Sequence, residues 1–266
     1  MALTHFQEEV EAAQDYLDTL KPAQREGLLK QAADSPIRCD MVTLLTYVND
    51  HSVVGTQSTG NLPLKIVGEI AARLVYPVKL EATTGTYTYR VRSEEDVWTI
   101  HYLHILADVG GLVSVGRARK WRVKKQGERF LAADPFTQTL YLLATWWTRV
   151  NWLVAYPYEG MGDHLPPFFS AVVRDELLDL PVKQRIAFVK FADQLINKAM
   201  LTWTAQESSF ARMALQGAIE RMVIYILRDF GMVTVEHRDK PLGKGTIKEL
   251  AAFRITPLGQ QLLEVL

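Results

Sequence analysis

Two histidines, His101 and His104, and Asp108 four residues further on would line one face of a helix. Imidazoles and a carboxylate at that spacing are the side chains that ligate a transition metal. No cysteine and no fourth ligand stand nearby in the sequence. The expectation is therefore a pair of core or hydrogen-bonded histidines, with no metal. Cys39, the one cysteine, has no His/Asn signature around it and reads as a small buried residue. The loops "GTQSTGN" (55–61) and "PLGKGTIKE" (241–249) contain glycines and polar residues. Neither has the spaced glycines followed by Gly-Lys-Ser/Thr that cradle phosphates. No GxSxG or HExxH pattern occurs. Asp163-His164 has no nucleophile to serve. Neither an enzyme nor a cofactor is expected.

A second kind of chemistry is concentrated in "GLVSVGRARKWRVKKQGERFL" (111–131). Arg117, Arg119, Lys120, Arg122, Lys124, Lys125 and Arg129 stand there against the single acid Glu128. Cations on a hairpin can contact phosphates and release counterions. The whole chain is nonetheless balanced, with 30 basic and 30 acidic residues. That excludes a protein that coats DNA through its general charge, but it allows a local basic site.

The elements that must position these residues follow from pattern. At 266 residues the chain has room for one large domain or two to three small ones. Its 48% apolar and 23% charged content excludes a disordered or low-complexity class. The start, "MALTHFQEEVEAAQDYL", has acids where a secretion signal needs a basic start and an apolar run. The apolar stretch "TLYLLATWWTRVNWLVAY" is broken by Arg149 and Asn151. A cytoplasmic protein without a membrane partner is expected, and the lone cysteine suits a reducing compartment.

Residues 6–33 read as polar helices around Lys21-Pro22. Asp40 is placed as the N-cap of a helix to Asp50, and Asn61 as the cap of a helix to Leu74. "SVVGTQSTGN" reads as a short strand and turn, and "VKLEATTGTYTYRVR" as a connector or hairpin. Ser93-Glu94-Glu95-Asp96 reads as a helix start, and Gly110-Gly111 as its stop. Two short strands, "LVSV" and "KWRV", and another helix follow. Helices are expected over 135–155, 166–178 and 182–200. The tryptophans Trp146, Trp147 and Trp152 are expected in a packed core rather than a ligand pocket.

The last part of the chain repeats this pattern. Residues 105–110, "ILADVG", match 226–231, "ILRDFG". Leu112–Val115 match Met232–Val235, and Trp121–Val123 match Phe253–Ile255. Gly127 and Gly259 each lie six residues after the aromatic residue of the second strand. An internal duplication of helix, glycine stop, strand, turn, strand and helix is expected.

These two segments, 105–131 and 226–263, resemble the winged-helix family, in which a three-helix core carries a two-stranded wing. More weakly, "GTQSTGNLP" and "SEEDVWTIHYLHILADVGGLV" are similar to uncharacterised bacterial plasmid- and transposon-passenger proteins. The resemblance implies a mainly α protein with small β-hairpins, in which a helical segment joins two winged-helix modules. The boundaries are an N-terminal helical segment 1–35, module 1 at 36–132, a central helical segment 133–205 and module 2 at 206–266. It also implies a nucleic-acid-binding or transcription-regulatory role, with double-stranded DNA as partner. The binding residues would be Arg117, Arg119, Lys120, Arg122, Lys124 and Lys125 on the first wing, and Arg238, Lys240, Lys244 and Lys248 on the second. The alternative is an assembly scaffold that uses the modules to hold a protein partner or a second copy. One feature opposes base reading. The first recognition helix would start with Glu94-Glu95-Asp96, and 97–109 carries no Lys or Arg.

Overall fold

The computed structural model describes residues 5–84, 87–116, 118–156, 164–204, 208–242 and 245–266. The protein is mainly helical with small antiparallel sheets, and it divides into two compact units, Met1–Val150 and Asn151–Leu266. The expected central segment is shared between them. No helix among the described residues is long and apolar enough to cross a membrane.

The first unit begins with α1 (His5–Thr19), α2 (Pro22–Ala33), α3 (Pro36–Asp50) and α4 (Leu64–Ala71). A hairpin, β1 (Glu81–Thr84) and β2 (Tyr87–Arg90), comes before α5 (Trp98–Val109). Then come β3 (Val113–Val115), β4 (Trp121–Val123), α6 (Lys125–Ala132) and α7 (Pro135–Arg149). Asp134 caps α7 by accepting from the N–H groups of Phe136 and Thr137. Every residue of α7 from Phe136 to Trp147 is buried, which is the pattern of a central helix wrapped by others. Trp146 meets Tyr102 of α5 edge to face, with ring centroids 5.2 Å apart. The polar Gln138 is tolerated in this core because it donates to the Phe130 carbonyl at 2.7 Å and accepts from Arg38 at 2.8 Å.

The second unit opens with a 3-10 turn, Trp152–Ala155. It continues with α8 (Phe169–Leu178), β5 (Ile186–Ala187), α9 (Phe188–Lys198), α10 (Ser208–Ile219), a π-helical stretch (Glu220–Tyr225) and α11 (Ile226–Asp229). It ends with β6 (Val233–Leu242), β7 (Gly245–Ile255) and α12 (Pro257–Val265). Strand β7 lies between β5 and β6. Trp152 packs edge-on against Phe169 at 5.6 Å, and Phe191 against Phe253 at 5.0 Å.

The hairpins of the two units share one register. Val113 faces Val123 and Val115 faces Trp121, just as Val233 faces Ile255 and Val235 faces Phe253. Gly111 (φ +66°) and Gly231 (φ +74°) take the left-handed conformation that turns each chain out of its helix. Leu112 N–H then reaches the Ala107 carbonyl, and Met232 N–H reaches the Leu227 carbonyl, both at 2.8 Å. A Cβ on Gly127 would meet the Leu112 carbonyl oxygen at 2.4 Å, and one on Gly259 would meet that of Met232 at 2.2 Å. In both units a short segment between two helices also pairs with the last strand. Val54 bridges Lys120, and Ile186 faces Phe253.

Several element starts differ from the sequence expectation. Helix α3 begins at Pro36, so Asp40 is buried one turn inside it and accepts from Val75 N–H at 2.7 Å. Pro63 is extended and delays α4 to Leu64, and Asn61 instead donates to Glu95 at 3.1 Å. Helix α5 starts at Trp98 rather than Ser93, because Ser93–Asp96 form a turn. There Asp96 accepts from the N–H groups of Arg92 and Ser93, at 2.7 and 3.1 Å. Helix α7 stops at Arg149, and α9 begins only at Phe188, after the Lys183 turn (φ +65°) and β5.

Candidate nucleic-acid interface

Strand alternation sorts the first hairpin into two faces. Trp121 points inward and is buried, while Lys120, Arg122 and Lys124 are exposed on the opposite side. Lys125 is exposed just beyond them, and Arg119 is half-buried at the turn with φ +55°. Its backbone is held at both ends: Arg119 N–H donates to the Gly116 carbonyl at 2.7 Å, and the Arg119 carbonyl accepts from Gly55 N–H at 2.8 Å. Among the described residues no carboxylate forms an ion pair with Arg119, Lys120, Arg122, Lys124 or Lys125. Arg117 lies outside the described residues.

The second hairpin is built differently. Its register places Arg238 opposite Glu249 and Asp239 opposite Lys248. Glu249 takes both Arg238, at 2.7 Å, and Lys240, at 2.6 Å, and Lys248 pairs with Asp239 at 2.6 Å. The hydrogen bonds of Lys240 and Arg238 hold the Glu249 carboxyl below its ordinary range. Nearer the hairpin's base, Glu236 collects Arg185 and Arg254. Arg238, Lys240 and Lys248 are therefore placed together, but beside acids. Lys244 lies outside the described residues.

Helix α5 packs against α3, α4, α7 and β3, and Asp108 is its one exposed residue. Its outer stripe, Trp98, His101, Ile105 and Asp108, carries no Lys or Arg to offer a groove. Of the three acids before it, only Glu94 is turned inward, and Glu95 and Asp96 are exposed. Glu94 is buried, Glu95 holds Asn61, and Asp96 closes its own turn.

The root of the first hairpin rests on a polar cluster that the sequence pattern did not assemble. Glu94 Oε2 accepts from Leu62 N–H at 2.6 Å. Its Oε1 faces His104 Nδ1 at 2.7 Å and His101 Nδ1 at 3.2 Å. Burial pushes the Glu94 carboxyl upward. The hydrogen bonds of His101 and His104, the charge of His104 and the Leu62 N–H outweigh it and bring it down to about 2. The Trp121 ring lies on His104, with centroids 4.4 Å apart, and its Nε1–H donates to the Gly60 carbonyl at 2.9 Å. Asp108, which the spacing puts on the histidines' face, is exposed, and Glu94 takes that position. An acid seven residues before His101 was the available signal, masked by its resemblance to a helix-start acid.

Comparison with family models, with curated proteins and with solved structures finds no match to this chain.

Proposed function

We propose that the chain is a duplicated winged-helix protein that binds the phosphate backbone of double-stranded nucleic acid through the hairpin β3–β4. The fold reading is supported by a shared core order of helix, paired segment, helix, helix, strand, strand and helix, into which the first unit inserts the hairpin β1–β2 after α4. The paired segment is an isolated bridge from Val54 to Lys120 in the first unit and strand β5 against β7 in the second. The observation that carries the function is the exposed row Lys120, Arg122, Lys124 and Lys125, without carboxylate partners among the described residues. Unneutralised cations on a braced hairpin gain counterion-release free energy from phosphates. Helix α5 carries no Lys or Arg, which favours backbone contact over base reading, so the binding is weakly sequence-dependent. The lone cysteine fits a cytoplasmic site of action.

A second reading is favoured by the other hairpin. Its paired charges leave little net attraction for phosphate, and Ile247 is exposed on β7. In this reading the modules hold a protein partner or a second copy and bind no nucleic acid.

Titration of random-sequence duplex DNA at rising salt tests the main proposal. Affinity should fall steeply with salt and should differ little between unrelated sequences. Absence of binding at low salt would leave only the protein-docking reading.

A further inference from the structure

We propose that Glu94, His101 and His104 form a binding site for a divalent transition metal of the Zn²⁺ type. The proposal does not depend on what the first hairpin binds. The three ligand atoms, one from each residue, lie within 4.8 Å of one another. The Glu94 Oε1 to imidazole separations are 2.7 and 3.2 Å. Two ligands bound to Zn²⁺ at ~2.0–2.1 Å in a tetrahedron stand about 3.3 Å apart, so a small adjustment admits the ion between them. His101 and His104 are three residues apart on α5 and share one face, and Glu94 approaches from the preceding turn.

The donor set selects the metal. Two nitrogens and one carboxylate oxygen suit Zn²⁺ and its neighbours, whereas Mg²⁺ and Ca²⁺ require oxygen ligands. The surroundings hold the ligands in place as outer partners of metal sites do. Leu62 N–H occupies Glu94 Oε2 and turns Oε1 toward the rings, and Trp121 lies against the His104 ring. The Glu94 side chain is fully buried, while those of His101 and His104 are 27% and 15% exposed. Water can therefore reach the ion as a fourth ligand. Binding through Nδ1 leaves a ring's proton on Nε2, so the ion displaces any proton held between Nδ1 and Glu94.

Metal-stripped full-length protein should take up one Zn²⁺ per chain in isothermal titration. Its Tm should rise with added Zn²⁺, and Co²⁺ in its place should give the visible absorption of a tetrahedral site. His101→Ala removes a partly exposed ligand and should weaken Zn²⁺ binding by about 100-fold. Glu94→Gln keeps an oxygen for Leu62 N–H but loses the carboxylate charge, and should weaken it by at least the ~10- to 100-fold that loss of an outer partner costs. Asp108→Ala should leave it unchanged. The proposal is overturned if the wild type takes up no stoichiometric Zn²⁺, or if both ligand variants, folded by circular dichroism, bind as the wild type does. Should a variant fail to fold, the wild-type Tm decides, and no rise with Zn²⁺ overturns the proposal.

Discussion

The indole N–H of Trp121 donates to the Gly60 carbonyl at 2.9 Å, tying strand β4 to the turn before α4. This buried bond, with Val54 paired to Lys120, fixes the first hairpin against its unit. Trp121→Phe keeps much of the apolar ring but leaves that carbonyl without its donor. It should cost about 1–3 kcal/mol in chemical denaturation, and a cost near zero would mean that the hairpin is held by something else.

Gly127 and Gly259 should behave alike. In each unit the glycine allows a helix to approach the carbonyl at the start of the first hairpin strand. Gly127→Ala and Gly259→Ala should each destabilise by about 1–3 kcal/mol or more, since the obstructing atom is backbone. If one is costly and the other neutral under denaturant, the two units are not built on one plan.

Glu249 should act as the neutraliser of the second hairpin. Glu249→Gln removes the charge facing Arg238 and Lys240 while keeping the side-chain size. Phosphate binding should strengthen, and the slope of log affinity against log salt should steepen by about 1–2, near one phosphate contact for each freed cation. An unchanged slope would place the second hairpin away from nucleic acid whatever its charge.

Glu9 supplies a pH dependence in the first unit. Burial and then the neighbouring Glu8 raise its carboxyl from 4.5 to about 6. Folding thus favours the protonated form. Its contribution is complete below pH 4.5 and is lost as pH rises through about 6. Because Glu9 is partly exposed, the effect is on the order of 1 kcal/mol. Glu9→Gln should stabilise the protein by that amount near neutral pH and not at about pH 4. Urea titrations at both pH values give the comparison.

The hairpins were legible because their signals are local. A glycine that needs positive φ, an apolar pair and an aromatic residue at fixed spacing place Gly111–Val123 and Gly231–Ile255 in register. The charge state of the second hairpin was not legible. Whether Lys248 meets Asp239 depends on an irregularity between Glu236 and His237 that no short pattern announces. The inward turn of Glu94 is hidden for a related reason. An acid after Ser93 looks like a helix-start residue, and only the delay of α5 to Trp98 turns it inward, onto His101 and His104. Asp40 looks like a cap in sequence because the donor it meets on burial, Val75 N–H, is 35 residues away.

The most direct measurement compares salt slopes for random duplex DNA between two multiple variants. One carries Lys120, Arg122, Lys124 and Lys125 to Ala, and the other Arg238, Lys240 and Lys248 to Ala. The first should flatten the slope by about 3 and the second by less than about 1. Equal slopes in both variants, or a larger loss in the second, would contradict the assignment of phosphate binding to the first hairpin.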